Sequence, residues 1–321
     1  MVVVFLVFAG NACIAGSAYD PLAIAAGWKP ETLDLTVLDA QRNREIPLHI
    51  YLPLINASAP VVLFSHGLGG SCEGNTYLGN HWSGRGYLTV FLQHPGSDTS
   101  VWKDKPLNQR MDAMKEAADG QNFMARVKDV SVVLDQLDQW NKTEKHVLFG
   151  RLDLSRVGMS GHSFGAVTTQ AVSGQSFLRG RVALTDPRIK AAIMFSPSCP
   201  RRGDAKRAFG DVKIPWMLMT GTKDISQIGG ADLQSRLGVF PALPEGGKYE
   251  LVLFEAEHSA FSESKLGLGI RKRNPNHHKV ILALSTAFWD YWLCEYNHAK
   301  TWLDGTGPDS LLEKNDRWQK K

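Results

Sequence analysis

The sequence is poor in cysteine, with only Cys13, Cys72, Cys199 and Cys294 among its 321 residues. Cys13 falls in an N-terminal segment that we expect to be removed, and the other three lack the spacing of metal ligands. A metal site built on cysteines is therefore not expected. Free, buried thiols are favoured, and a disulfide between Cys72 and Cys199 is the alternative.

An excess of charge of one sign is also missing. The 36 lysines and arginines exceed the 32 aspartates and glutamates by only four. The tight basic clusters are Arg201-Arg202 and Arg271-Lys272-Arg273, and no nucleic-acid recognition motif accompanies them. We interpret both clusters as solvated loops and expect no nucleic-acid partner.

The sequence also lacks a long apolar run. Residues 2–10 are apolar but too few for a transmembrane helix, so no stable membrane insertion is expected. Small residues follow, and Gly16-Ser17-Ala18 fits a signal-peptidase site. Residues 1–18 therefore predict an export signal and a periplasmic or secreted protein. A buried N-terminal strand is the alternative, and a cytoplasmic location stays open.

The sequence contains enough hydrophobic residues for a large core. Hydrophobic residues make up 43% of the chain and charged residues 21%, which suits one globular domain over residues 19–321. We place its core at about residues 33–300, followed by a polar tail over 301–321. Apolar runs typical of strands buried on both faces occur at residues 61–64, 87–93, 189–195, 216–219 and 251–254.

Helical patterns alternate with these strands. Helices are predicted over residues 75–85 and 280–298, and another is indicated by Met124, Val127, Val130, Leu134 and Leu137. Residues 33–38 and 46–52 predict an antiparallel hairpin at a sheet edge. The pattern predicts an α/β protein with a mostly parallel central sheet, an antiparallel N-terminal hairpin and helices on both faces.

One strand leads into a serine flanked by glycines. Apolar residues precede Gly161-His162-Ser163-Phe164-Gly165, which has the form G-x-S-x-G, and a helical pattern follows. Strand, sharp turn with a serine, and helix form the nucleophile elbow of the α/β-hydrolase fold. Side chains at Gly161 and Gly165 would clash across such a strained turn. Ser163 is therefore the candidate nucleophile, and a structural Gly/Ser turn is the alternative.

A second glycine-rich turn, Ser65-His66-Gly67-Leu68-Gly69-Gly70, follows the apolar run at residues 61–64. In this fold a His-Gly-x-Gly turn supplies half of the oxyanion hole, the pair of N–H donors that stabilises a negatively charged intermediate. We assign the two donors to the backbone N–H groups of Leu68 and Phe164. His66 is expected to orient the loop beside the pocket, and an ordinary glycine turn is the alternative.

An acid and a histidine follow the last two predicted strands. Asp224 comes after the run at residues 216–219, and His258 comes after the run at residues 251–254. The order Ser163, Asp224, His258 is the Ser–acid–His order of α/β-hydrolases. These three residues are therefore the predicted catalytic triad.

Other residues compete for these roles. Asp186 is a second candidate acid but precedes its strand, and Glu257 lies next to the base. His277 and His278 are rival bases but lie before a helix rather than after a strand. His94 follows another buried strand and is a possible pocket-lining residue, with a structural role as the alternative.

Two irregular segments are expected to shape the pocket. Residues 100–119 predict a short cap helix, and residues 173–186 predict a loop-rich insertion. If they leave an open, shallow cleft, a polymeric ester becomes a suitable substrate.

Four segments together resemble the predicted dienelactone hydrolases of bacteria and the related platelet-activating-factor acetylhydrolases: Ser65-His66-Gly67-Leu68-Gly69, Gln93-His94-Pro95-Gly96-Ser97, Gly161-His162-Ser163-Phe164-Gly165 and Thr220-Gly221-Thr222-Lys223-Asp224. The likeness covers about residues 33–300 and implies a calcium-independent serine esterase. Dienelactone hydrolases proper use a cysteine nucleophile where this chain has Ser163. The lactone substrate is therefore not carried over.

The sequence predicts a serine esterase that acts through an acyl-enzyme on small-molecule or polymeric esters, with short acyl groups favoured. No metal or organic cofactor is required. Three alternatives stay open: a polyester or lipid-ester hydrolase, an amidase or peptidase on the same triad, and a non-catalytic binding module.

Overall fold

The computed structural model describes residues 19–177, 181–263 and 274–321. The predicted export signal and Cys13 lie outside these residues. The strands are β1 (Thr32–Asp39), β2 (Arg44–Tyr51), β3 (Ala59–Ser65), β4 (Leu88–Leu92), β5 (Leu152–His162), β6 (Ser176–Phe177), β7 (Val182–Ala183), β8 (Ile189–Phe195), β9 (Trp216–Lys223), β10 (Lys248–Glu257) and β11 (Arg317–Lys320).

Helices connect most of these strands. They are α1 (Thr76–Gly84), α2 (Leu107–Ala117), α3 (Gly120–Lys142), α4 (Phe164–Val172), α5 (Ala205–Phe209), α6 (Leu233–Leu237), α7 (Val239–Ala242), α8 (Pro275–Trp292) and α9 (Asn297–Asp304). Short 3-10 segments cover Thr99–Val101, His258–Phe261 and Pro308–Ser310. Across the described residues, no helix has the length and apolarity needed to cross a bilayer.

One nine-stranded sheet organises the described chain, in the order β1-β2-β4-β3-β5-β8-β9-β10-β11. Neighbouring strands from β4 to β10 are parallel, and the predicted hairpin of β1 and β2 is antiparallel. The α/β class with a mostly parallel sheet is therefore confirmed. The C-terminal segment is more than a polar tail, because β11 pairs with β10 as an antiparallel edge strand.

Helices pack on both faces of the sheet. On one face Trp82 of α1 and Phe288 and Trp289 of α8 are fully buried against the strands. On the other face Val130 and Leu134 of α3 are fully buried. Burial of each such side chain contributes roughly 1.5–3 kcal/mol, so the two apolar layers hold the sheet in place.

Two helix predictions need correction. The last long helix spans Pro275–Trp292 rather than residues 280–298, and a separate helix, α9, begins at Asn297. The long helix starts earlier because Asn274 caps it by accepting a hydrogen bond from the Asn276 N–H and proline is tolerated in the first turn. In α3 the face was predicted to begin with Met124, but Met124 is 36% exposed while Arg126 is fully buried. A cation therefore occupies the inner face near the start of that helix.

Candidate active site

The carboxyl ends of the parallel strands meet at one edge of the sheet. Ser163 lies there between the last residue of β5 and the first residue of α4. Its backbone has φ 56° and ψ −113°, a conformation that costs about 1–3 kcal/mol for a non-glycine residue. Hydrogen bonds from the Ser163 N–H to the Phe195 carbonyl (2.9 Å) and from the Val167 N–H to the Ser163 carbonyl (3.1 Å) hold the turn.

Close backbone contacts explain the two glycines of the turn. A Cβ at Gly161 would lie 2.4 Å from the carbonyl oxygen of Gly165, and a Cβ at Gly165 would lie 1.8 Å from that of Ser65. Non-bonded carbon and oxygen atoms do not approach so closely. A side chain at either position would therefore clash, as predicted, and at Gly165 the clash would be with β3.

A chain of two hydrogen bonds links Ser163, His258 and Asp224. The Ser163 hydroxyl lies 2.9 Å from His258 Nε2, and His258 Nδ1 lies 2.7 Å from Asp224 Oδ1. Asp224 is fully buried, whereas the His258 side chain is 26% exposed. In the tautomer that fits both contacts, Nδ1–H donates to Asp224 and Nε2 accepts from Ser163. The three residues predicted as a triad thus lie in hydrogen-bonding contact.

Further groups hold the Asp224 carboxylate. The Thr220 hydroxyl donates to Oδ2 at 2.9 Å, and Arg236 Nε lies 3.1 Å from Oδ1. Burial alone would raise the pKa of Asp224, but the hydrogen bond from His258 and the charges of His258 and Arg236 lower it to about 2. Asp224 is therefore an anion at neutral pH. Arg236 is itself anchored by the carbonyl of Ser196 at 2.6 Å.

His162 supports the backbone of the candidate base. Its Nε2 lies 3.2 Å from the His258 carbonyl oxygen, and the two rings are 4.7 Å apart. Burial, together with the neighbouring His258, lowers the pKa of His162 to about 3, so the ring is neutral and donates through Nε2–H. In the sequence His162 is only the variable residue of the G-x-S-x-G motif, and the motif predicts no role for it.

The two residues that carry the predicted oxyanion donors line the same cavity. Phe164 is the first residue of α4, where backbone N–H groups have no acceptor within the helix. Leu68 lies in the turn after β3 and lines the cavity together with Ser163 and Phe164. Within the described part of the chain, neither N–H group has a hydrogen-bond acceptor. Both are therefore available to a ligand oxygen.

The histidines expected beside the pocket have different positions. His66 borders the cavity but is only 2% exposed, and its Nε2 accepts from the His94 N–H at 3.1 Å. His94 is fully buried beneath the loop, between Ser65 and Asp129. His94 therefore has the structural role that sequence analysis kept as its alternative.

The cavity over Ser163 and His258 has a volume of about 1890 Å³. Apolar side chains from the predicted cap and insertion segments line it, namely Trp102, Met111, Met114 and Phe177. Three arginines also line it, namely Arg201, Arg202 and Arg207. Both segments expected to shape the pocket thus contribute to its wall.

The competing residues have other partners. Asp186 forms an ion pair with Arg188 at 2.6 Å, and His278 Nε2 lies 3.1 Å from the carbonyl oxygen of Ala260. The cysteines at 72, 199 and 294 are free, half-buried thiols rather than a disulfide.

Several supporting residues were missed from the sequence: Thr220, Arg236, Arg126 and Asp129. For Arg126 and Asp129 a signal existed, because both lie on the inner face of a helix with an apolar stripe. Charged residues are rarely fully buried unless they are paired, so such positions indicate a polar network. Arg236 offered no comparable signal, since its short helix carries no periodic pattern.

Comparisons with known proteins add no assignment to this geometry. The scan against protein-family models and the search of curated proteins both find no match to the chain.

Proposed function

We propose that this protein is a serine carboxylic-ester hydrolase with an α/β-hydrolase fold. The observation that carries the proposal is the continuous hydrogen-bonded chain from Ser163 through His258 to the buried Asp224. The placement of Ser163 at a strained turn between a central strand and a helix supports the fold assignment.

In the proposed reaction His258 acts first as a general base. Its Nε2 takes the proton of Ser163, whose Oγ attacks the ester carbonyl carbon. Asp224 keeps the proton of the neutral imidazole on Nδ1 and stabilises the imidazolium that forms. The depressed pKa of Asp224 supports this role, since a carboxylate with a pKa of about 2 remains charged over the working range.

The negative charge that develops on the ester oxygen requires donors. The N–H groups of Leu68 and Phe164 lack acceptors among the described residues and lie on the cavity that holds Ser163. A single such donor is typically worth about 3 kcal/mol of barrier. Collapse of the intermediate expels the alcohol, which takes the proton from His258, and water then hydrolyses the acyl-enzyme by the same steps.

The cavity gives a second candidate within the same chemistry. Its volume of about 1890 Å³ exceeds the roughly 300–1,000 Å³ of usual small-ligand pockets, and apolar side chains from the predicted cap and insertion segments line part of it. This favours an ester with a bulky apolar part over the short acyl group predicted from the sequence. A lipid or polymeric ester is therefore the second candidate substrate.

The test is hydrolysis of p-nitrophenyl esters from acetate to palmitate, with Ser163→Ala alongside. We expect Ser163→Ala to lose at least about 10⁴-fold in kcat and to resist labelling by a fluorophosphonate probe. Ser155→Ala is the matched control, because Ser155 is exposed at the opposite end of the same strand. Activity that survives Ser163→Ala would overturn the proposal.

The chain-length profile separates the substrate classes. A maximum at acetate or butyrate supports the short-acyl esterase, and a maximum at long chains supports the bulky substrate. Folded protein that hydrolyses anilides but no ester is an amidase. Folded protein that neither hydrolyses these substrates nor reacts with the probe is a binding module.

A further inference from the structure

Arg126 of α3 has an unusual environment for an arginine. Its side chain is fully buried, and its hydrogen-bond acceptors are hydroxyl and carbonyl oxygens rather than carboxylates. Burial lowers the pKa of the guanidinium to about 9, so the group remains a cation at neutral pH. A buried cation without a contacting carboxylate destabilises the folded state relative to an apolar side chain. Its presence on the inner helix face therefore calls for another explanation.

The contacts of Arg126 reach both halves of the candidate oxyanion hole. Its Nη1–H donates to the His66 carbonyl at 2.8 Å, two residues before the Leu68 N–H. Its guanidinium carbon lies 4.6 Å from the ring centroid of Phe164, the residue that supplies the second N–H. One side chain thus contacts the segments that carry both donors.

Arg126 also reaches the loop that braces the first donor. Its Nε–H donates to Ser97 Oγ at 2.8 Å, and the Ser97 carbonyl accepts from the Gly69 N–H at 2.9 Å. At the carbonyl of the same residue, Trp102 Nε1–H donates to Gly69 at 2.7 Å. Arg126 therefore holds His66, two residues before Leu68, directly, and it holds Gly69, the residue after Leu68, through Ser97.

A second Ser-His-Asp chain lies beneath Arg126. Ser65 Oγ is 2.9 Å from His94 Nε2, and His94 Nδ1 is 2.9 Å from Asp129 Oδ2. Arg44 donates to both oxygens of Asp129, at 2.8 Å each. Ser65, His94 and Asp129 are fully buried, so no substrate can reach Ser65 as a nucleophile.

This buried chain instead fixes the groups around the guanidinium. Burial and the charge of Arg126 lower the pKa of His94 to about 4, so its ring is neutral and Nδ1–H donates to Asp129. His94 Nε2 then accepts from the Ser65 hydroxyl, whose oxygen lies 3.3 Å from Arg126 Nη1. The hydroxyl is thereby oriented to accept from Arg126. Buried hydrogen-bond networks of this kind favour a single geometry.

We infer that Arg126 is a positioning residue of the oxyanion hole, which holds the Leu68 and Phe164 N–H groups in register for the developing oxyanion. The buried Ser65–His94–Asp129 chain fixes the guanidinium and has no reactive role. This inference rests on the proposed function. It predicts that loss of Arg126 weakens stabilisation of the transition state more than binding of the ground-state ester.

The experiment compares Arg126→Met and Arg126→Lys with wild type on the preferred p-nitrophenyl ester. We expect Arg126→Met to lower kcat by about 10²-fold with KM changed less than about threefold, and Arg126→Lys to recover part of the loss. Affinity for a trifluoromethyl ketone gives a second readout. Ser163 Oγ adds to the ketone carbon, its proton passes to His258, and the resulting oxyanion needs the same donors. The affinity of the variants for the ketone should fall in parallel with kcat/KM.

Arg85→Met is the matched control. Arg85 is a mostly buried arginine that pairs with Asp290 at 2.6 Å, at the end of α1. We expect Arg85→Met to lower the melting temperature without changing kcat. If Arg126→Met does not fold, kcat, KM and ketone affinity are measured for Arg126→Lys and Ser97→Ala instead. Each of these two changes keeps the apolar core intact. A folded variant with wild-type kcat and ketone affinity, or one altered in KM alone, would overturn the inference.

The wild-type result separates this inference from the proposed function. Wild type that shows no Ser163-dependent hydrolysis and no fluorophosphonate labelling overturns both. Active wild type combined with an unchanged Arg126 variant overturns the inference alone.

Discussion

Gly165 lies so close to Ser65 that a Cβ on Gly165 would stand 1.8 Å from the Ser65 carbonyl oxygen. This contact joins the end of β3 to the first turn of α4. The strand end leads into the turn with Leu68, and the helix start carries Phe164. The two candidate oxyanion donors are therefore spaced by a contact that only glycine permits.

We predict that Gly165→Ala disrupts the site. The added methyl group would overlap a backbone oxygen, which cannot move away without displacing β3. The expected result is a loss of stability of about 3 kcal/mol or more, or failure to fold, measured by urea unfolding. Gly120→Ala is the control, because a Cβ at Gly120 meets no atom within 4 Å. A Gly165→Ala protein as stable and active as wild type would contradict this reading.

Asp224→Asn tests the orientation of His258. An asparagine of the same shape can present its NH₂ group to Nδ1, which favours the tautomer with the proton on Nε2, where it cannot accept from Ser163. We expect kcat to fall by about 10⁴-fold with the fold retained. Asp186→Asn is the matched control, since Asp186 is also buried and pairs with Arg188. Equal effects of the two changes on kcat would argue against a special role for Asp224.

Thr220→Val tests the hydrogen bond on the other carboxylate oxygen. The change removes the donor to Asp224 Oδ2 while keeping the volume of a buried strand residue. We expect kcat to fall by roughly 3- to 10-fold, which corresponds to about 1 kcal/mol, the typical net worth of one hydrogen bond.

Thr89→Val supplies the control for this change. Thr89 is a buried strand residue whose hydroxyl has no partner among the described residues. The same substitution there removes no hydrogen bond and should leave kcat unchanged. A Thr220→Val enzyme with wild-type kcat would show that the Thr220 hydroxyl does not tune Asp224.

The sequence predicted the candidate site best at the turns that follow the strands. Ser163, Asp224 and His258 each come within a few residues after an apolar run, so their meeting at one sheet edge could be predicted from the order of elements. The supporting residues could not be predicted in this way. Arg236 meets Asp224 only because the chain folds back through α6, and no local pattern encodes that return.

The pKa of His162 leads to a prediction about acid stability. Burial, with the neighbouring His258, lowers the folded-state pKa of this histidine to about 3, from an ordinary value of about 6.5. Below pH 6.5 the unfolded chain therefore binds a proton that the folded chain does not. Stability is fully present above pH 6.5 and falls as pH decreases toward 3. At pH 5 the loss from one such histidine is roughly 2 kcal/mol.

His162→Gln removes this titration while keeping an N–H donor that can reach the His258 carbonyl. We expect the wild-type free energy of unfolding in urea to fall more steeply between pH 7.5 and 5 than that of His162→Gln, by roughly 2 kcal/mol. Part of the decline should persist in the variant, because burial and Arg126 also lower the pKa of His94, to about 4. Parallel stability curves for the two proteins would mean that His162 accepts a proton in the folded state. In that case the ring would not be the neutral donor that supports His258.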